Sequence, residues 1–387
     1  MSTISTDTAG LPGEDRGIRR SGAAALIIGH CAGLIDLVAL PVWVGALITH
    51  FRFSPSQAGG LVTLFLIGAV LASVLTARNF NRVNRKLLAT LGFAVAAAAF
   101  GLAATQTGFG VLAGLHLLAG LANGVALSLV HGSIGRAANP HRLFAMAGIG
   151  LGLFGVIYMG AVPQLLLMHG GAALFGAFGA IMAVAALAAL LAFPALPGDR
   201  SPRIRGPFPA GVLFLICGVS LITFNQAMVF SFFEVIGLAR GFAPQAIVGT
   251  LIAIGLVNFV GPAPLAALLQ NRLSARSVVI AGPAVQAALA LGLTFASVFA
   301  VWAPVAAVFV AVQVFTHTFA FGLLARRDPS GRAVAATPAM LMSGSALGPV
   351  IGGTLVQHLS IQALGIVAIF VAAAAITCFA RGSRPRA

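Results

Sequence analysis

The sequence predicts an all-α membrane protein of twelve transmembrane helices, arranged as two six-helix repeats. Three observations carry that prediction. The 387 residues are 59% hydrophobic and only 7% charged, where a soluble domain carries roughly a quarter of charged residues. The apolar residues form continuous runs of spanning length, without the period-two alternation of a membrane barrel. Turn signals of the first half recur in the second at a nearly constant offset, the mark of an internal repeat.

Taken in order, residues 1–20 form a polar N-terminal tail ending in Arg16, Arg19 and Arg20. The tail lacks the apolar core and small-residue cleavage site of a secretory signal, so the first apolar run is expected to remain as a helix. Apolar runs then follow at 22–48, 56–77, 85–105, 108–134, 144–168, 172–196, 210–238, 245–269, 277–297, 300–325, 334–357 and 360–380. Each is close to the roughly 20 residues that cross a bilayer. The segment 197–209, PGDRSPRIRGPFP, is the longest polar interruption. It is expected to link an N-terminal bundle, 21–196, to a C-terminal bundle, 210–380, with a short tail at 381–387.

A net charge of +15 would point to nucleic acid in a soluble chain, but here the basic residues sit in short loops between apolar runs. Of the 22 lysines and arginines, all but Arg52 and Arg240 fall on one side of the twelve-helix map. That asymmetry predicts both termini in the cytoplasm and a multi-pass protein of the inner, cytoplasmic membrane. The lipid bilayer is then the expected surrounding partner, and nucleic acid is excluded. Cys31, Cys217 and Cys378 are scattered singly and read as small apolar core residues. No metal-ligand spacing, phosphate loop or Ser/His/Asp grouping occurs, so neither a metal, a cofactor nor an enzyme activity is expected.

The repeat is read from two loops. Phe53-Ser54-Pro55 after the first helix has its counterpart 189 positions on in Phe242-Ala243-Pro244. Asn81-Arg82-Val83 after the second returns 190 positions on as Asn271-Arg272-Leu273. Such duplication is typical of carriers that hold substrate near the membrane midplane, between the halves.

Asp36 is the one carboxylate near the middle of the first run. An ionised carboxylate there is costly, so it needs a donor, a water-filled cavity or a proton. Capping by neighbouring donors and a proton or cation site on a central cavity are both open. Shifting Asp36 by 189 lands on Asn225, and shifting Asn123 by 190 lands on Gln313. Interhelical hydrogen bonding would explain each amide singly; the four together favour a polar-lined central site in helices one, four, seven and ten. Gln313 and His317, four apart, share a helix face.

With these features the chain resembles the major facilitator superfamily over essentially its whole length. The family's loop motif after helix two, Gly-x-x-x-Asp-Arg-x-Gly-Arg-Lys, is matched at Ala77–Lys86, ARNFNRVNRK, by Arg82, Arg85 and Lys86, with Asn81 in place of the Asp, Asn84 of the second Gly and Ala77 of the first. The resemblance implies a cytoplasmic gate at Asn81, Arg82, Arg85 and Lys86, with Asn271 and Arg272 as its repeat counterpart; a positive-inside loop would also account for the arginines. The family's helix-four Arg-x-x-x-Gly is matched by His116 and Gly120, which implies a proton-coupling position at His116, with a satisfied structural histidine as the other reading. Gly344–Gly353, GSALGPVIGG, matches the Gly-x-x-x-Gly-Pro-x-x-Gly-Gly pattern of family antiporters, but on helix eleven, the repeat counterpart of the family's helix five.

Glu234 is the other acid at membrane depth, nine residues past Asn225 and about 13 Å further out along a helix. It reads as an interfacial residue or as a further proton-coupling site. The phenylalanines around it, Phe224, Phe230, Phe232 and Phe233, read as lipid-facing or packing residues, and His30 and His131 as water-accessible groups toward the cytoplasmic ends. With no Lys or Arg away from the helix ends, a small neutral or cationic organic substrate is expected. It would move with protons by alternating access in a monomer, export slightly ahead of proton-coupled import or uniport. A channel or receptor is disfavoured by the duplicated halves and midplane polar residues.

Overall fold

The computed structural model describes residues 18–137, 139–195, 207–328, 333 and 337–384. Most of the expected N-terminal tail and linker, the end of the C-terminal tail, and Arg16, Arg200, Arg203, Arg205, Arg332 and Arg386 lie outside the described residues.

Among the described residues, twelve helices are long and apolar enough to cross a membrane. They are numbered here as spans one to twelve: Arg20–Thr49, Pro55–Asn79, Arg85–Ala103, Phe109–Ile134, Pro140–His169, Ala172–Ala192, Ala210–Ala239, Pro244–Ala266, Ala275–Phe295, Phe299–Arg327, Thr337–His358 and Ile361–Gly382. Three depart from a single continuous rod. Span one breaks at Leu34, between Arg20–Gly33 and Ile35–Thr49. Span seven breaks at Ser231-Phe232, between Ala210–Phe230 and Phe233–Ala239, and span eight breaks at Gly261.

Helix starts follow local chemistry. Before span two, Ser54 accepts from the Gln57 amide, and Gln57 returns the bond to the Ser54 amide, a complete capping box with Pro55 in the first turn. Asn84, Asn139, Ser274 and Ser360 cap spans three, five, nine and twelve. The repeat counterpart of Ser54 is Ala243, which keeps the proline of the turn but has no side-chain cap to offer span eight.

Adjacent ends fix the up-and-down order. Gly22 at the start of span one meets Pro194 after span six, and Gly211 at the start of span seven meets the Gly382 carbonyl at the end of span twelve. Both sets of ends therefore share the side that carries the termini. Among the described residues, the first six and last six spans touch near mid-depth and toward the opposite side. Spans two and eleven meet there at Gly59 and Gly353, and spans five and eight at Gly152 and Gly255. The cysteines depart from expectation: Cys217 is exposed on the apolar exterior, and Cys31 and Cys378 are half-buried.

Candidate functional site

The centre of the site is the break in span one. In a continuous helix the Leu37 amide would bond to the Gly33 carbonyl; here it turns to Leu34 at 3.1 Å. The freed Gly33 carbonyl is taken by the side-chain amide of Asn123 on span four, at 2.9 Å. Asn123 thus stands beside the break, where its other amide atom, Oδ1, is buried without a partner.

Asp36 is the second residue of the half-helix that starts after the break. A helix start favours negative charge there, because the peptide dipoles point their positive ends at it. The amides of Asp36 itself and of Leu37 face the carboxylate. It is almost wholly buried, and neither oxygen makes a hydrogen bond.

The second half supplies a denser amide network. Asn225 on span seven donates to Oε1 of Gln286 on span nine, at 3.2 Å. Thr223, two residues earlier, lies 3.3 Å from Nε2 of His317 on span ten. Gln313 sits one turn before His317 on the same face. These contacts tie span seven to spans nine and ten, yet they leave Asn225 Oδ1, Gln226 Oε1, Gln286 Nε2 and Gln313 Oε1 buried without partners. Buried polar atoms are nearly always satisfied in folded proteins, so each such atom calls for a ligand or water. The expected residues Asp36, Asn123, Asn225, Gln313 and His317 all lie buried at mid-span.

Gln226 and Gln286 were not among the expected residues. Both are visible as polar residues in apolar runs. Gln286 has no polar repeat counterpart, since the position 189 residues before it is Ala97.

His116 lies elsewhere. Trp43 donates to its Nε2 at 3.2 Å, and its Nδ1 bonds to the Leu112 carbonyl at 2.7 Å. The ring is fully buried beside Trp43, Phe100 and Phe175. Both nitrogens being engaged, this is the geometry of the satisfied structural histidine. His30 and His131 also depart from expectation: His30 is buried, and its Nδ1 lies 2.9 Å from Nε2 of His131, joining spans one and four.

Glu234 occupies the seam between the halves. Its carboxylate fits against the α-carbon of Gly45 on span one, where any side chain would collide with it. It also lines a small cavity of about 60 Å³ with Ala46, Thr49, His50 and Pro163. The phenylalanines around it pack inward: Phe230, Phe232 and Phe233 are buried, and Phe233 stacks on Trp302 at 4.6 Å between ring centres.

On the termini side, Asn81 accepts from Nη1 of Arg136 at 2.6 Å. The Phe80 ring lies under the guanidinium groups of both Arg136 and Arg85, at 4.5 and 5.3 Å. The loop after span two is thereby anchored to the end of span four. Arg82, Lys86, Asn271 and Arg272 are exposed on loops or helix starts. Among the described residues no group of three or more His, Cys, Asp or Glu is placed to hold a metal ion.

A family model described as Major Facilitator Superfamily matches residues 25–330. No curated protein matches the chain. Among solved structures, similarity extends to a bacterial homologue of the human lysosomal transporter Spinster in an inward-facing, unoccupied conformation (TM-score 0.73, 14% identity, 95% of this chain and 98% of that one). It extends also to a D-xylose–proton symporter (TM-score 0.71, 15% identity, 94% and 97%) and to the nucleoside transporter NupG (0.71, 15%, 94% and 99%). At such identities the likeness is one of fold.

Proposed function

The chain belongs to the major facilitator superfamily, and from that premise we propose that it is a secondary active carrier whose cycle is coupled to protons through Asp36. As a member of that family it is a multi-pass membrane transporter of small substrates and not an enzyme. The observation that carries the finer proposal is the pair of unpartnered carboxylate oxygens at the span-one break. A buried carboxylate whose oxygens make no hydrogen bond is stable there only when it holds a proton or meets a ligand.

The substrate sits between Asp36 and Asn123 on one side and Asn225, Gln226, Gln313 and His317 on the other. Their unsatisfied amide atoms bind it by hydrogen bonds. A neutral or cationic organic molecule suits this lining, which has a carboxylate and amides and no lysine or arginine. Transport proceeds by alternating access, as the bundles 21–196 and 210–380 rock about the site. The loops with Asn81, Arg82, Arg85, Lys86, Asn271 and Arg272 close the termini side. His116 takes no part in proton transfer and holds Trp43 in place instead. The protein works as a monomer in the inner membrane with both termini in the cytoplasm, an orientation supported by the basic residues of its loops. Export in exchange for protons is the proposed direction, on the glycine-proline pattern shared with family antiporters.

The test is proton flux in proteoliposomes as cationic, neutral and anionic compounds are added, wild type against Asp36→Asn. A compound-triggered proton signal that disappears in the variant is the expected result. An Asp36→Asn protein that still moves substrate against its gradient sinks the proposal.

A further inference from the structure

We propose that Glu234 is a second proton-binding site, distinct from Asp36, and that its protonation is what allows the halves to close on the side opposite the termini. The inference rests on the carrier function proposed above, but not on the role given there to Asp36.

The geometry is specific. Glu234 belongs to the second half of the chain, yet its carboxylate is seated against Gly45 of the first. Spans one, five, seven and eight converge on it, and the cavity they leave, about 60 Å³, has room for only a few water molecules. The titratable groups facing it are few. Span five also carries Tyr158, the only tyrosine of the chain, whose buried hydroxyl has no hydrogen-bond partner. From span one comes His50, which is exposed at the cavity rim. Span eight lines the cavity with Pro244, Ile247, Val248 and Leu251, none of which titrates. Arg240, six residues further along the chain, is turned away and donates to the Thr294 carbonyl.

Among the described residues no lysine or arginine lines the cavity beside the Gly45 notch, and closing the seam over a charged Glu234 strips its hydration without replacement. A protonated carboxyl enters the notch without that cost. It carries its own O–H donor and keeps one oxygen that accepts, so it needs no cation. Opening on this side hydrates the group and lets the proton leave; closing requires one to be taken up. Gly45 is part of the device, because only a residue without a β-carbon leaves the notch open. Nine residues, about 13.5 Å at helical rise, separate Gly45 from Asp36, so the two carboxylates are separate stations.

The experiment uses the full chain with its three native cysteines replaced and an Ala46→Cys probe, buried in the closed seam. An Arg52→Cys probe on the exposed loop nearby corrects for the pH dependence of thiol reactivity. Labelling by a membrane-impermeant maleimide is read as the ratio of the two probes from pH 5.5 to 8.5. In the wild-type background the ratio is expected to rise several-fold with pH, as Glu234 loses its proton and the seam opens. With Glu234→Gln it stays low throughout, with Glu234→Asp the rise returns, and with Gly45→Ala it is high even at low pH. In Asp36→Asn the rise persists, which separates this site from the coupling carboxylate. A flat wild-type ratio, an unaltered rise in Glu234→Gln, a Gly45→Ala protein that labels like wild type, or loss of the rise in Asp36→Asn would each overturn the assignment.

Discussion

Two of the seams between the halves are built differently. Where span two meets span eleven, main chain lies on main chain: a β-carbon at Gly59 would strike the carbonyl of Pro349, and one at Gly353 the carbonyl of Pro55. Polar bonds cross the same line, from the Ser56 amide to Gln357 at 3.2 Å and from the Val350 amide to Thr63 at 3.3 Å. Where span five meets span eight, the atom nearest each glycine belongs to a side chain, with main-chain atoms no closer than 3.3 Å. Gly152 is covered by the ring of Phe259, Gly255 by Val156 and Gly160 by Ile252. A backbone contact has no rotamer to change, whereas a side-chain contact can repack while the helices slide. The first seam is therefore suited to act as a pivot and the second to give way, the usual division between hinge and shear in domain motion.

The same contrast explains the glycine-proline pattern on span eleven. Gly344, Gly348 and Gly352 recur every four residues and lay one helix face on the backbone of span seven, at Ser220, Ala227 and Met228. Gly353, next in the chain, turns to span two. Span eleven is thus held by close backbone approach on both sides, as small residues allow in membranes. Span five, its repeat counterpart, has glycines without that regular spacing, and Gly148 faces open space.

The sharpest way to break the contrast is to put side chains into the pivot. Gly353→Leu or Gly59→Leu should cost about 3 kcal/mol or more through overpacking, with a lower unfolding temperature in detergent and no transport. Next in size is the loss of the cap at the span-one break. Asn123→Ala leaves the Gly33 carbonyl buried and unpaired, at a cost of about 1–3 kcal/mol, and should lower the unfolding temperature and weaken substrate binding together. Asp36→Asn is expected to abolish uphill transport while keeping or raising thermal stability, since it removes an uncompensated buried carboxylate; a marked loss of stability would argue that Asp36 serves the fold. The smallest effect belongs to the sliding seam. Gly152→Ala meets the Phe259 ring first, at 2.8 Å, with the Phe259 α-carbon next at 3.3 Å, and should cost about 1 kcal/mol, the scale of one displaced rotamer. If Gly152→Ala proved as damaging as Gly353→Leu, the distinction between the seams would fall.

Much of the fold was legible beforehand because its signals are local. A run of apolar residues must cross the bilayer as a helix wherever it lies, since no other structure pairs its own backbone there. Ser54, Pro55 and Gln57 announce a helix start within four residues. The site was legible in part. Asp36, Asn123, Asn225 and Gln313 stand out as polar residues in apolar runs, and all four are buried at mid-span.

The partners of those residues were not legible. Gly33 before Leu34 is one of many glycines in the apolar runs and does not single out a break there; what stabilises the break is Asn123, 90 residues from Gly33. The break in span seven falls at Ser231-Phe232, eight positions beyond the repeat counterpart of Leu34, so the duplication offers no guide to it. His116 matched a functional position by spacing, but Trp43 and the Leu112 carbonyl occupy its nitrogens.

From the sequence alone, then, came what hydropathy, charge and turn chemistry decide within a few residues: twelve spans, their order, and which residues are polar at depth. The tertiary structure decided which of those polar groups are satisfied and which are left open, because a hydrogen bond or a notch such as that of Gly45 exists only once distant helices are packed together. Glu234 looks the same in the sequence whether it faces headgroups or seals a seam; the absent side chain of Gly45, 189 residues earlier, makes the difference.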